Sequence, residues 1–338
     1  MYRRLIAVAP VDHPGGAETC LLRLLAGLKR RGWSVALTTP GEGPLRDRAR
    51  EAGYDWHPLP LGALGPRRGA RALASWPRAR SLAREASVVY LNGSVCGRLL
   101  PALAPGTRRV LHVHDMVDRV PSFWRRADVV LAASGAVAAR LDGLAAHVVY
   151  GPVDPDPPAA APPWPTGNGP VVGFVGRFEP RKGPLDLVRA APAIRAGAPG
   201  ARIVMVGDDP YGADPDYVRA VHAARDVERH PWSENAPGLM RHLDVLVLPS
   251  RVEPFGTVLA EAMAVGTPVV ASRVDGLPEV VEDGVSGRLV PPGEPDLLAA
   301  AVLEVLARRG EMGTAARERA RRFFVEDYVD RVEALIAP

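Results

Sequence analysis

The sequence predicts an α/β protein made of two doubly wound parallel sheets, and three observations carry that reading. Short apolar runs suited to buried parallel strands alternate with longer stretches of helical periodicity. A proline-dense tract, GPVDPDPPAAAPPWPTGNGP at 151–170, splits the chain into halves of similar pattern. The polar residues able to do chemistry cluster just after the apolar runs, where ligands bind in open α/β sheets. The expected organisation is a first Rossmann-like domain over 1–152 and a proline-rich, semi-rigid linker over 153–169. A second Rossmann-like domain then spans 170–321, and a last helix at about 322–338 returns to the first domain. The two sheets are expected to face each other across a cleft.

In the first half, LIAVAP (5–10) reads as the opening strand, followed by the loop VDHPGGAE. A helix from about Glu18 to Arg31 places Leu21, Leu24, Leu25 and Leu28 on one stripe, with Gly32 as its stop. WSVALTTP, VVYLNG, RVLHVHD, ADVVLAAS and HVVYGPV read as later strands. In the second half, VVGFVGRF (171–178), ARIVMVGD (201–208), LDVLVLPS (243–250) and TPVVAS (267–272) read as strands. Helices are expected near 184–196, 257–265 and 294–308, with one or two amphipathic helices from about Glu311 to Ile336.

Composition narrows the class. With 338 residues, 47 % hydrophobic and 24 % charged, the chain is globular and has the length of two domains. It has no apolar run of 18 residues and no signal-peptide pattern. Cys20 and Cys96 are the only cysteines and lack metal or redox spacing, so a reduced, cytoplasmic protein is expected. The net charge of +4 comes almost wholly from arginine, with Lys29 and Lys182 the only lysines. No recognition motif or stacking pattern for nucleic acid accompanies it. The basic stretch PRRGARALASWPRARSLAREA (66–86) allows peripheral contact with anionic lipid, but a solvated helix interrupted by Pro77 is the favoured reading.

Four stretches carry the chemistry. In EPFGTVLAE, Glu253 precedes a helix that starts near Phe255–Thr257, and Glu261 lies one turn after Thr257. Free N–H groups at that start, flanked by two carboxylates, suit a ligand rich in hydroxyls and phosphate. The competing reading is a capped surface helix. In GRFEPRKG (176–183), Arg177 and Lys182 sit in a Gly-bounded loop after a strand, a metal-free diphosphate cradle or else a solvated basic loop. PGGAE (14–18) gives a glycine pair, Gly15–Gly16, permitting close approach to a phosphate, although it is not a dinucleotide fingerprint. LHVHD (111–115) puts His112 and His114 on one face of a strand end. No third ligand accompanies them, so His114 donating to a sugar hydroxyl or a developing charge outweighs metal binding.

With these residues in view, the chain resembles glycosyltransferase family 4, the retaining group with the GT-B fold. Gly15–Gly16, His114, Arg177, Lys182–Gly183 and above all EPFGTVLAEAMAVGTPVVAS with LPEVVEDGVSGRLVPP carry the resemblance. It implies that Arg177 and Lys182 hold the nucleotide diphosphate and neutralise the leaving group, and that Glu261 takes the ribose. Glu253 and the N–H groups of Phe255, Gly256 and Thr257 take the donor sugar. His114 lies beside the transferred sugar, and Gly15–Gly16 border the diphosphate and acceptor. Two departures stand out. Asp275–Gly276 replaces the Gly-Gly of many relatives, so Asp275 is expected to reshape the donor pocket. The segment holding His230, Pro231 and Trp232, which should form the nucleobase pocket, is short.

The implied function is transfer of a sugar, with retention, from a nucleotide-diphosphate donor to an acceptor hydroxyl. A small soluble acceptor is favoured, a secondary metabolite such as an aminocyclitol in antibiotic biosynthesis. Alternatives are a lipid-linked or cell-envelope acceptor at a membrane surface, a pseudo-glycosyltransferase or a nucleotide-sugar 2-epimerase. A non-catalytic sugar-nucleotide binder conflicts with the intact set of Arg177, Lys182, Glu253 and Glu261. No cofactor is expected beyond the donor as co-substrate. No metal is expected either, since the acidic pairs DPD (154–156, 214–216) and DD (208–209) read as turns.

Overall fold

The computed structural model describes residues 3–61, 70–104, 106–165, 167, 169–209, 212 and 214–337. The chain forms two compact units, one of Met1–Pro152 with Val325–Pro338, the other of Val153–Phe324. The chain therefore leaves the first unit after Pro152 and re-enters it at Val325.

The first unit is a parallel sheet with helices on both faces. Its strands are β1 (Arg4–Val8), β2 (Ser34–Thr39), β3 (Asp55–Pro58), β4 (Val88–Asn92), β5 (Arg108–Val113), β6 (Val129–Ala132) and β7 (His147–Val148). They lie in the order β3-β2-β1-β4-β5-β6-β7. Its helices are α1 (Gly16–Arg30), α2 (Pro44–Glu51), α3 (Ala70–Arg84) and α4 (Gly135–Ala139). The period of two along each strand sorts side chains between two cores. Leu5, Ala7, Val88 and Tyr90 join the leucine stripe of α1. Ile6, Val8, Val89 and Leu91 join Ala79 and Ala83 of α3 on the other face.

The second unit repeats the plan. Its strands are β8 (Val171–Val175), β9 (Arg202–Val206), β10 (Glu228–His230), β11 (Val245–Leu248), β12 (Val269–Ser272) and β13 (Gly287–Val290). Their order is β10-β9-β8-β11-β12-β13, all parallel. Its helices are α5 (Pro184–Gly197), α6 (Pro215–Ala223), α7 (Ala236–Met240), α8 (Thr257–Ala264), α9 (Leu277–Val280), α10 (Pro295–Ala307) and α11 (Arg309–Ala320). In each sheet the strand order reverses direction beside the first strand, between β1 and β4 and between β8 and β11. That reversal opens a crevice at the carboxyl ends of those strands.

The last helix, α12 (Val325–Ile336), belongs to the first unit. Tyr328, Val329, Val332 and Ile336 complete the core against α1. Gly27 of α1 makes the approach possible: a Cβ there would stand 2.5 Å from Val329 Cγ2. Glu333 accepts hydrogen bonds from Trp33 Nε1 at 2.8 Å and from Arg31 Nη1 at 3.0 Å, which sets the register of the two helices.

Three sequence expectations need correction. The tract 153–169, expected as a semi-rigid linker between the domains, is part of the second unit. Proline has no N–H but keeps its carbonyl as an acceptor. Pro158 O accepts from Asn235 Nδ2 and Pro157 O from Arg241 Nη2, both at 2.9 Å, while Trp164 is buried. Pro77 does not interrupt α3; it lies inside the helix on its exposed face, where the carbonyl it frees one turn earlier need not be buried. Residues 66–69 of the basic stretch lie outside the described residues. Strands β3, β10 and β13 were not anticipated; DWHP, ERH and GRLV carry too many polar or breaking residues to show an apolar run.

Gly27→Val should drive α12 off α1 and lower stability by about 1–3 kcal/mol, the usual cost of overpacking. Adding Val329→Ala should recover most of the loss, as read from urea unfolding of the two variants.

Candidate functional site

In the second unit, the loops after β8 and β11 flank the crevice at the strand reversal, and they hold the predicted basic and acidic residues. The first loop runs from Gly176 through a 3-10 turn, Pro180–Lys182, to Gly183 and α5. Gly183 has φ +67°, and a Cβ there would lie 2.1 Å from Pro249 O, so only glycine lets the two loops touch. They are then stitched together. Arg251 N donates to Arg181 O at 2.8 Å, Arg181 Nη1 donates to Val252 O at 3.1 Å, and Arg251 Nη2 donates to buried Asp186 at 2.8 Å.

Lys182 and Glu253 meet in this frame. Lys182 Nζ lies 2.5 Å from Glu253 Oε2, and Glu253 is 6 % exposed. Ser250 Oγ donates to the same oxygen at 3.2 Å. Burial lowers the Lys182 ammonium pKa; Glu253 pulls it back up, and the guanidinia of Arg181 and Arg177 push it further down. Glu179 holds the neighbouring cations, 3.2 Å from Arg177 and 2.8 Å from Arg181. Phe255 and Gly256 lead into α8, with Gly256 as its N-cap and Thr257 its first residue; Glu261 is half-buried within it. The structure thus brings Arg177, Lys182 and Glu253 together beside a helix N-terminus, an arrangement that can receive an anion and a polyol at once.

His230 ends β10, its ring tilted against Trp164 with centroids 5.5 Å apart, and Trp232 is 55 % exposed two residues on. Pro231 lies between them. The acidic pairs do backbone work. Asp154 accepts from Asp156 N at 3.0 Å, Asp214 caps α6 by accepting from Tyr217 N at 3.0 Å, and Asp208 accepts from Asp209 N at 2.8 Å.

In the first unit, the corresponding reversal holds Gly15, Gly16 and Asn92. Gly15 caps α1 and its N–H donates to Glu18 Oε2 at 3.1 Å. Burial raises the Glu18 pKa. His112 and His114 do share one face, their rings 3.8 Å apart. Tyr90 Oη lies 2.6 Å from His112 Nδ1. His114 Nε2 lies 2.9 Å from Asn92 Oδ1, while Asn92 Nδ2 donates to Ala17 O at 3.3 Å. Burial lowers the His114 pKa to about 4, so the ring is neutral at pH 7. An amide oxygen only accepts, so the single ring proton sits on Nε2 and is committed to Asn92. In that tautomer His114 keeps Nδ1 as an acceptor.

Sequence reasoning passed over Asn92 and Glu18. Both were visible in outline: Asn92 closes the apolar run VVYLN and Glu18 sits three residues after Gly15, the spacing of a carboxylate that caps its own helix.

The family model described as Glycosyltransferase Family 4 matches residues 14–157, and that described as Glycosyl transferases group 1 matches residues 169–308. A GDP-mannose-dependent alpha-(1-6)-phosphatidylinositol monomannoside mannosyltransferase of Mycolicibacterium smegmatis is 32 % identical over 282 residues, 76 % of this chain and 68 % of that protein. The chain belongs to glycosyltransferase family 4. Another member, a D-inositol 3-phosphate glycosyltransferase of Segniliparus rotundus, is 38 % identical over 170 residues, 47 % of this chain; the match spans only 38 % of that relative's length. HepE of Anabaena, solved with UDP-glucose, superposes with a TM-score of 0.81 at 23 % identity, covering 98 % of each chain. That likeness shows the GT-B fold of the family 4 chain.

Two outcomes test the site. Lys182→Ala should destabilise the second unit by about 3 kcal/mol or more, because it strands a buried carboxylate. Lys182→Met combined with Glu253→Gln should recover most of that loss in denaturant unfolding. For His114 the folded pKa of about 4 lies below the ordinary 6.5, so the unfolded chain takes up the proton first as pH falls. Its contribution to stability is full above pH 6.5 and is lost on descending to about 4. The Tm should fall over that window, and His114→Gln should make the fall shallower.

Proposed function

We propose that this chain transfers a sugar, with retention of configuration and without a metal ion, from a nucleotide-diphosphate donor to an acceptor hydroxyl. One observation carries the reading: Arg177, Lys182 and Glu253 converge at the strand reversal, beside the N-terminus of α8. The bond broken joins the anomeric carbon to a diphosphate oxygen. Negative charge grows on that oxygen, and Arg177 and Lys182 are preorganised to stabilise it. Glu253 and the N–H groups of Phe255, Gly256 and Thr257 hold the sugar, and Glu261 holds the ribose.

The acceptor hydroxyl attacks from the face the diphosphate leaves. Its oxygen forms the new bond, and its proton goes to the departing phosphate oxygen. On the family pattern His114 faces the transferred sugar, and as a neutral ring it accepts from a sugar hydroxyl through Nδ1. Gly15 and Gly16 leave room for the diphosphate and acceptor.

A cyclitol acceptor is favoured. The names of both relatives described above contain an inositol, free as the phosphate in one and lipid-linked in the other. A compact polyol matches the small soluble acceptor expected from sequence. No helix among the described residues is long and apolar enough to cross a membrane.

Thermal-shift titration with UDP, GDP, ADP and TDP, with and without EDTA, tests the donor reading. One nucleotide should stabilise the protein by about 2.7 kcal/mol at a hundredfold excess over its Kd. EDTA should not change the shift, and Arg177→Ala should abolish it. No shift with any nucleotide would remove the diphosphate site and the transfer reaction with it.

A further inference from the structure

We infer that Asp275 is a positioning residue that clamps Glu253 and thereby sets how tightly the donor's sugar is held. The inference rests on the donor reading above and assigns a role to a residue outside the sugar-facing set.

The turn after β12 comes back against the loop after β11. Asp275 Oδ2 accepts a hydrogen bond from Glu253 N at 2.9 Å, and Gly276 N donates to Glu253 O at 3.1 Å. Both backbone groups of Glu253 are therefore held by two consecutive residues of one turn. The approach is close: a Cβ on Gly276 would lie 2.1 Å from Pro254 O. No side chain other than hydrogen fits there, so position 276 supplies the contact and position 275 supplies the clamp.

Asp275 holds this place against its own backbone preference. Its φ is +43°, one of two positive values outside glycine among the described residues. Glycine would adopt that conformation without strain, and asparagine and aspartate tolerate it best among the rest. A residue kept in a strained conformation by a directed side-chain bond points to a role for that bond.

The consequence falls on Glu253. Its side chain is fixed by Lys182 and Ser250 at one oxygen, and its backbone by Asp275 and Gly276. A donor that draws Lys182 toward its diphosphate releases the side chain from one partner. The backbone clamp then keeps the carboxylate in place for the sugar. Asp275 thus acts on the sugar end of the donor and leaves the nucleotide end to other residues.

Four proteins test this: wild type, Asp275→Asn, Asp275→Gly and Asp275→Ala. Asparagine keeps the acceptor and the backbone conformation, glycine relieves the strain but removes the acceptor, and alanine does neither. Two readouts are taken. Hydrogen exchange at the Glu253 amide needs no ligand and should quicken in the Gly and Ala variants only. Binding of the nucleotide sugar should weaken about tenfold in those two, the size of one lost hydrogen bond, while the bare nucleotide diphosphate binds as to wild type. The Asn variant should match wild type in both.

Unchanged exchange in Asp275→Gly, or equal weakening of nucleotide and nucleotide sugar, overturns the clamp. A wild-type protein that binds neither ligand, but whose Glu253 amide responds as described, overturns the donor reading and the sugar-holding role while keeping the structural clamp.

Discussion

The buried contact between Lys182 and Glu253 is the constraint on which the second unit's site depends. Neither charge is tolerable there alone, since an isolated ion away from water costs several kcal/mol. The surrounding structure follows from that need. Gly183 brings the loop after β8 against the loop after β11, Ser250 satisfies the shared carboxylate oxygen, and Glu179 keeps Arg177 and Arg181 within reach without a second carboxylate at Lys182. Lys182 and Glu253 thus neutralise one another within this frame.

The first unit solves a different problem with the same sheet geometry. Its polar residues are held neutral rather than paired. The rings of His112 and His114 lie 3.8 Å apart and tilted, where desolvation disfavours protonation, and Asn92 uses both ends of its amide, one toward His114 and one toward Ala17 O.

Much of this was legible in the sequence because its signals are local. Apolar runs bounded by glycine and proline marked ten of the strands described, and EPFGTVLAE announced its helix start through Pro254 and Gly256. What could not be read depends on contacts between distant segments. The return of Asp275 to Glu253 spans 22 residues, and the hydrogen bond of His114 to Asn92 also spans 22. The partner of His114 was not legible, because Asn92 lies on the neighbouring strand and a histidine's donor and acceptor atoms are set by its partners. The tract at 153–169 was read by its prolines as a semi-rigid linker, whereas its carbonyls and Trp164 attach it to the second unit.

The path of the chain has a consequence for how such a protein can be recombined. Because residues 325–338 complete the core of the first unit, the second unit is in topological terms an insert, entered after Pro152 and left before Val325. Exchanging it for that of another family member is therefore not a single fusion of front and back halves. It needs two junctions, and a chimera cut only once would carry a foreign final helix against Gly27 and the leucine stripe of α1.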